Sequence, residues 1–198
     1  MIENQKVESK DVYKTTLYRR SIRRFKQKKV PFNILKKCVN AARLAPSAAN
    51  LQPLEFIIVD NEELCSEIFK TLGFAGYLSH WNPDETEKPM AYIVILCNDP
   101  KNKWYKRDAS FAAANIMITA ESYNIGSCIF CNIKRDKIRN LLEIPEKLII
   151  DSVVALGYKK ENPKAVAYTG SIKYYHDENR VLHVPKRSLE KIMHINSY

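Results

Sequence analysis

The sequence predicts one globular domain that mixes helices with a sheet, and three observations carry that expectation. The chain has 198 residues, within the range of about 100 to 200 usual for one domain with its own core. Short runs rich in β-branched and aromatic residues alternate with longer stretches whose apolar positions recur every three or four residues. The sequence contains no internal repeat, low-complexity tract or linker that would divide it.

In chain order, residues 11–20 are predicted as a first helix. Pro31 introduces a second, in which Ile34, Leu35, Cys38, Val39, Ala41 and Ala42 keep helical spacing until Pro46. Residues 54–59, Leu-Glu-Phe-Ile-Ile-Val, form a strand-like run, followed by a helix over 62–72. A second strand spans 90–97. The stretch 108–123, rich in Ala, Ile and Met, is predicted as a central helix buried on nearly all sides, closed by Asn124 and Gly126. A strand over 127–131, an amphipathic helix over 135–142 and a strand over 149–158 complete the body. Asn162-Pro163 then begins a polar tail, where residues 172–176 and 181–184 flank the turn-like Asp177-Glu178-Asn179 and residues 188–192 make a last short helix. Such a tail, from about residue 160 to 198, is stable only if it packs on the body or on a partner.

Composition removes several function classes. Hydrophobic residues make up 45% and charged residues 27% of the chain, so no disordered or fibrous architecture is required. The longest apolar run is strand-sized, far short of the roughly 20 residues needed to cross a bilayer. The opening residues are polar and mixed in charge, unlike a secretory signal, which makes the cytoplasm the expected location. A formal net charge of +10 invites nucleic acid. The lysines are dispersed, however, and the basic groups at 26–29 and 101–107 match no nucleic-acid-binding signature, so they read as solvated faces.

Five cysteines, an odd number in apolar surroundings, fit reduced thiols better than a disulfide framework. Cys128-Ile129-Phe130-Cys131 matches C-x-x-C, but residues three apart in a strand face opposite ways, and no second pair stands at zinc spacing. The five glycines never cluster into a dinucleotide or phosphate-loop motif, and the four histidines show no metal-ligand spacing. No nucleophile elbow is present.

Two segments remain that could carry chemistry. Arg19-Arg20-Ser21-Ile22-Arg23-Arg24-Phe25 sets guanidinium groups and a hydroxyl beside a helix end, where they suit phosphate or a carbonyl edge. On composition alone a solvated basic turn is the favoured reading, since charge clusters mostly lie on the surface. Ala45-Pro46-Ser47-Ala48-Ala49-Asn50-Leu51-Gln52-Pro53 is a loop of small and amide residues between two prolines. A planar ligand could lie against its backbone, with Asn50 and Gln52 at a heterocycle edge. It reads also as an ordinary helix-to-strand turn.

Taken together and in this order, the two segments resemble the nitroreductase family, whose members open with Arg-Arg-Ser-x-Arg-x-Phe and continue with Ala-Pro-Ser-x-x-Asn-x-Gln-Pro. Further similar stretches are residues 108–120, Ile125-Gly126-Ser127-Cys128, Val153-Val154-Ala155-Leu156-Gly157-Tyr158 and the closing Val184-Pro185-Lys186-Arg187-Ser188-Leu189-Glu190. The resemblance spans residues 13–193.

The resemblance implies an α+β fold, a mostly antiparallel central sheet wrapped by helices, in a homodimer whose subunits exchange terminal segments. It implies FMN at the interface, NADH or NADPH as electron donor, and a small acceptor such as a nitroaromatic or a quinone, served in ping-pong order through flavin N5. By position, Arg19 and Arg187, with Lys186, would hold the FMN phosphate, and Arg20 and Ser21 would border the flavin. Arg23 would face its N1 and C2 edge, where a fixed cation stabilises the charge gained on reduction. Pro46, Ser47, Ala48, Asn50 and Gln52 would contribute from the loop, in part across the interface. Gly126 and the backbone near Phe130 and Cys131 would approach the ring. No side chain is assigned as catalytic acid or base. Ala48 stands where many members have Ser, and Cys131-Asn132 replaces the usual pair beside N5. These departures leave a flavin-binding or flavin-storage role with little turnover as the alternative. The segment 74–87, with Tyr77, His80 and Trp81, would line the pocket or form a surface excursion.

Overall fold

The computed structural model describes residues 9–74, 76–78, 82–99 and 101–198. His80 and Trp81 lie outside the described residues. The helices are α1 (Ser9–Tyr18), α2 (Phe32–Arg43), α3 (Glu62–Phe69), α4 (Tyr105–Ser122) and α5 (Arg135–Leu141). The strands are β1 (Phe25–Lys26), β2 (Leu54–Val59), β3 (Ala91–Cys97), β4 (Ile125–Phe130), β5 (Ile149–Lys159), β6 (Lys164–Ala167), β7 (Tyr175–His176) and β8 (Leu182–Lys186).

The central sheet is antiparallel throughout and runs β1-β5-β3-β2, with β4 also paired to β5. β5 is the hub. Val154 pairs with Ile93 of β3 and with Ile129 of β4, so its backbone is hydrogen-bonded on both sides and its side chains are buried. β3 is buried along its whole length, and its alternation sorts the core into two halves. Ala91, Ile93 and Ile95 meet Leu35 and Cys38 of α2 and Ala112, Ala113 and Ile116 of α4. Tyr92, Val94 and Leu96 meet Cys65 and Ile68 of α3 and Ile138 of α5. This is the α+β arrangement of a helix-wrapped antiparallel sheet.

Gly157 of β5 is required by packing: a Cβ there would stand 2.7 Å from Cδ1 of the fully buried Phe25. That contact seats β1 against the sheet and brings the preceding arginines to the edge of β4.

Several local expectations change. α4 is buried on one face rather than on nearly all sides, because its alanines allow close approach to α2 and the sheet while Phe111 on the far side is 52% exposed. The strand predicted over 127–131 starts two residues earlier, at Ile125, and stops before Cys131. β1 and β6 were not foreseen. β6 pairs parallel to β8, which also pairs antiparallel to β7, so the tail builds a small second sheet of its own.

Candidate functional site

α1 ends at Tyr18, and the chain then turns onto the free side of β4. The Ile22 N–H donates to the Ser127 carbonyl at 2.9 Å, and Ser21 forms a parallel bridge with Ser127. Ile22 and Phe25 point into the core. The N–H groups of Arg23 and Arg24 both donate to Oε1 of Glu161, at 2.5 and 3.2 Å. Burial pushes the Glu161 carboxyl up from its ordinary range, against those two hydrogen bonds and the neighbouring arginines. With the backbone held on both sides, the arginine side chains are presented outward.

They do not share one task. Arg24 makes two hydrogen bonds to Glu87, at 2.8 and 2.6 Å, and Lys160 stands 3.0 Å from the same carboxylate, so this cation is structural. Arg20 turns back to donate to the carbonyls of Leu17 and Arg19 at 2.7 and 2.6 Å, satisfying the end of α1, while its Nε is buried without a partner. Arg19 reaches α4, with Nη1 3.9 Å from the Met117 sulfur. The Arg23 guanidinium makes no side-chain hydrogen bond among the described residues and lies 5.1 Å from the centre of the Tyr174 ring. Arg19, Arg20, Ser21 and Arg23 line a cleft of about 370 Å³ together with Thr16, Leu17, Tyr174, Val184 and Lys186. Four of these side chains are cationic and none is a carboxylate. Beneath it, Ser127 Oγ is buried without a partner, and burial raises the Cys128 thiol above its ordinary range.

The loop after α2 occupies another surface. Residues 48–50 form a short 3₁₀ turn, and Ala49, Asn50 and Gln52 take positive φ values of 49, 54 and 49°. Side chains hold this bend. Asp108, buried in the first turn of α4, accepts the Ala48 N–H at 3.1 Å, and Ser47 Oγ accepts that of Gln52 at 3.1 Å. Pro46, Ser47 and Gln52 line a recess of about 130 Å³ with Asp108, and Pro46, Ser47 and Ala48 a second of about 310 Å³ with Trp104, Arg107 and Phe111. Asn50 is exposed.

The remaining expected residues are distributed as follows. Lys186, at the end of β8, lines both the arginine cleft and an adjoining cavity of about 690 Å³. Arg187 lines only the latter of the two, and its Nη2 donates to the Lys191 carbonyl at 3.0 Å. Gly126 is buried, and a Cβ would come within 2.8 Å of Ile22 and 2.9 Å of Lys159, which gives it a packing reason. Phe130 is buried against Phe74, with ring centres 4.8 Å apart, and Cys131 follows it, exposed, at the strand end. The C-x-x-C cysteines thus lie in different environments. Among the described residues no group of three His, Cys, Asp or Glu side chains stands where it could hold a metal.

Tyr174 and Asp108 did not stand out in the sequence. Tyr174 sits in a polar tail without periodicity, and Asp108 reads as an ordinary acidic residue near a helix start. The buried Glu161 likewise gave no signal.

The profile of the Nitroreductase family matches residues 16–73 and 83–158, both sides of the segment that holds Tyr77. A protein of Methanothermobacter thermautotrophicus described as an NADH dehydrogenase/NAD(P)H nitroreductase is 31% identical over 166 residues, which cover 80% of this chain and 82% of the relative. The solved structure of an FMN-dependent nitroreductase from Clostridium difficile is 28% identical with a TM-score of 0.67, covering 91% of this chain and 96% of that one. A nitroreductase from Bacteroides fragilis, solved with bound FMN, is 25% identical with a TM-score of 0.63, covering 83% and 96%. The chain belongs to the Nitroreductase family.

Proposed function

We propose that this chain is an FMN-dependent oxidoreductase that passes electrons from NADH or NADPH to a small acceptor, with nitroaromatics and quinones as laboratory acceptors. The observation that carries the reading is the cleft in which Arg19, Arg20, Ser21, Arg23 and Lys186 meet without a carboxylate, in a chain of this family. The residues present fit an anionic, hydrogen-bonding cofactor: Arg20 Nε is an orphaned buried donor, and the Arg23 guanidinium keeps its own donors uncommitted.

When bound, FMN would supply two-electron chemistry at N5, which no side chain of this protein offers. The chain's part is positioning and electrostatics. Arg19 and Lys186, joined by Arg187 from the adjoining cavity, would neutralise the phosphate. Ser21 would offer a hydroxyl at the cofactor's border, and Arg23 a fixed cation at the ring edge that gains negative charge on reduction. With no side-chain acid or base assigned, protons would come from solvent. Donor and acceptor would use one face in turn, giving ping-pong kinetics.

The loop residues Pro46, Ser47, Ala48, Asn50 and Gln52 would reach the cofactor of a second copy. That reading is supported by the separate recesses they line in one chain, and by the exposure of the apolar side chains Val12, Tyr13, Leu17, Leu51 and Phe111, which a homodimer would cover. The single fold unit of residues 1–198, with its tail packed on the partner, belongs to the same proposal.

The test is an absorbance scan of the purified protein, repeated anaerobically with each nicotinamide. A flavin spectrum that bleaches rapidly supports the enzyme. A colourless protein that does not take up added FMN sinks the cofactor assignment, and bound flavin that neither nicotinamide reduces leaves flavin storage instead. A monomeric mass in solution with FMN still bound would overturn the shared site.

A further inference from the structure

Two stretches without an assigned role, the segment around Tyr77 and the tail before β7, meet above the arginine cleft. Their meeting point is Tyr174. Its ring lies 5.1 Å from the Arg23 guanidinium carbon, within the roughly 6 Å over which a cation is drawn to an aromatic face. The Tyr77 ring stands 5.0 Å away at 58°, and the Tyr77 backbone N–H donates to the Tyr174 hydroxyl at 3.4 Å. Tyr174 is half-buried and lines the cleft alongside Arg23.

Arg23 needs such a contact. Its backbone is fixed through the N–H bond to Glu161, but its guanidinium has no side-chain hydrogen bond among the described residues. A long side chain with several rotatable bonds carries much rotamer entropy, so an unheld head group samples many positions. A ring face restrains it without occupying its in-plane donors, whereas a carboxylate partner would both restrain it and cancel its charge. The aromatic contact therefore leaves the cation available to a ligand in the cleft.

We propose that Tyr174 is a positioning residue for Arg23: the tail ring, itself seated by Tyr77, holds the guanidinium at the cleft so that its charge acts at one place. The consequence for flavin rests on the function proposed above. A held cation favours the reduced, more negative flavin over the oxidised form, so losing Tyr174 weakens flavin binding and also lowers the potential of what remains bound.

The experiment compares the wild type with Tyr174→Phe and Tyr174→Ala. In the flavin-free proteins, the order parameter of the Arg23 Nε–H group is measured by ¹⁵N relaxation. It falls in Tyr174→Ala and stays near the wild-type value in Tyr174→Phe, which keeps the ring face. An Arg23 equally ordered in Tyr174→Ala overturns the proposal, as does a Tyr174→Phe variant as mobile as Tyr174→Ala. In proteins loaded with FMN, Tyr174→Ala raises Kd about fivefold, the size of a 1 kcal/mol contact. It also weakens reduced-flavin binding about fivefold more than oxidised, shifting the midpoint potential about 20 mV more negative at roughly 30 mV per tenfold. Wild-type Kd and potential in Tyr174→Ala overturn the role in flavin tuning. If the wild type binds no FMN, the cofactor assignment fails, and the relaxation comparison still decides whether Tyr174 holds Arg23.

Discussion

Asp108 accepts the backbone N–H of Ala48 at 3.1 Å, across 60 residues of sequence, and so ties the loop after α2 to the first turn of α4. The carboxylate is 2% exposed, and its second oxygen is buried without a partner. Because Ala49, Asn50 and Gln52 all take positive φ, the loop is held in a conformation that L-residues rarely choose unaided.

Asp108→Ala should therefore cost about 1.5 to 3 kcal/mol, the usual range for a hydrogen bond to a charged group. Asp108→Asn should cost less, since the amide oxygen still accepts from Ala48. Urea unfolding measures both, and limited proteolysis should show new cutting within residues 47–52 of the alanine variant. Equal stability of the alanine variant and the wild type would mean that the loop holds its shape without this contact.

The Glu87 cluster sets an acid limit on stability. Hydrogen bonds from Arg24, then from Lys160, hold its carboxyl at about 2, below the ordinary 4.5, against the opposing effect of burial. Since the folded value is depressed, the stabilisation is complete above the unfolded pKa of about 4.3 and is lost as pH falls toward the folded value. The shift corresponds to about 3 kcal/mol. Glu161 acts in the opposite sense. Burial raises its folded pKa, so its contribution is present at low pH and lost as pH rises through that value. Unfolding free energy measured from pH 7 to pH 2 should fall less steeply in Glu87→Gln than in the wild type, from a lower starting value. Glu161→Gln should remove the loss that accompanies a rise in pH through the raised Glu161 value.

How much of this was legible depended on whether the signal was local. β2 appeared in the sequence with the bounds it has in the structure, because Leu54 to Val59 is a β-rich run ending at Asn61, which caps α3. β1 has two residues and β6 four, mostly exposed, so neither is long enough to show a periodicity. The burial of α4 was overstated because alanines suit either a fully buried helix or one close-packed face. At the site, the arginines and the proline-bounded loop were legible as motifs. Tyr174 over Arg23 and Asp108 on Ala48 were not, because each contact joins segments that only the folded chain brings together.

The thiols offer a simple check of burial. Cys38, Cys65, Cys97 and Cys128 are buried and Cys131 is exposed. Desolvation pushes Cys38 and Cys65 up to about 12 and raises Cys131 as well, so even the accessible thiol keeps little thiolate at neutral pH. A thiol reagent at pH 8 should label Cys131 slowly in the native protein and the other four only after unfolding. Prompt labelling of more than one site without denaturant would contradict the burial of the thiols on α2, α3, β3 and β4.

The last prediction concerns how the cationic residues divide the work. Arg19 lines the cleft directly, whereas Arg187 lines the neighbouring cavity and donates to the Lys191 carbonyl, with Lys186 shared between the two. If FMN phosphate bridges these cavities, Arg19→Ala and Arg187→Ala each remove a charge-assisted contact worth about 1.5 to 3 kcal/mol. Flavin affinity should then drop roughly tenfold to a hundredfold in each. Fluorescence titration of FMN into the flavin-free variants reads this directly. Loss in Arg19→Ala alone would confine the phosphate to the cleft and leave Arg187 to brace the turn at residues 189–191. Unchanged affinity in both variants would move the phosphate away from this end of the molecule, and with it the orientation that sets Arg23 at the reducible edge.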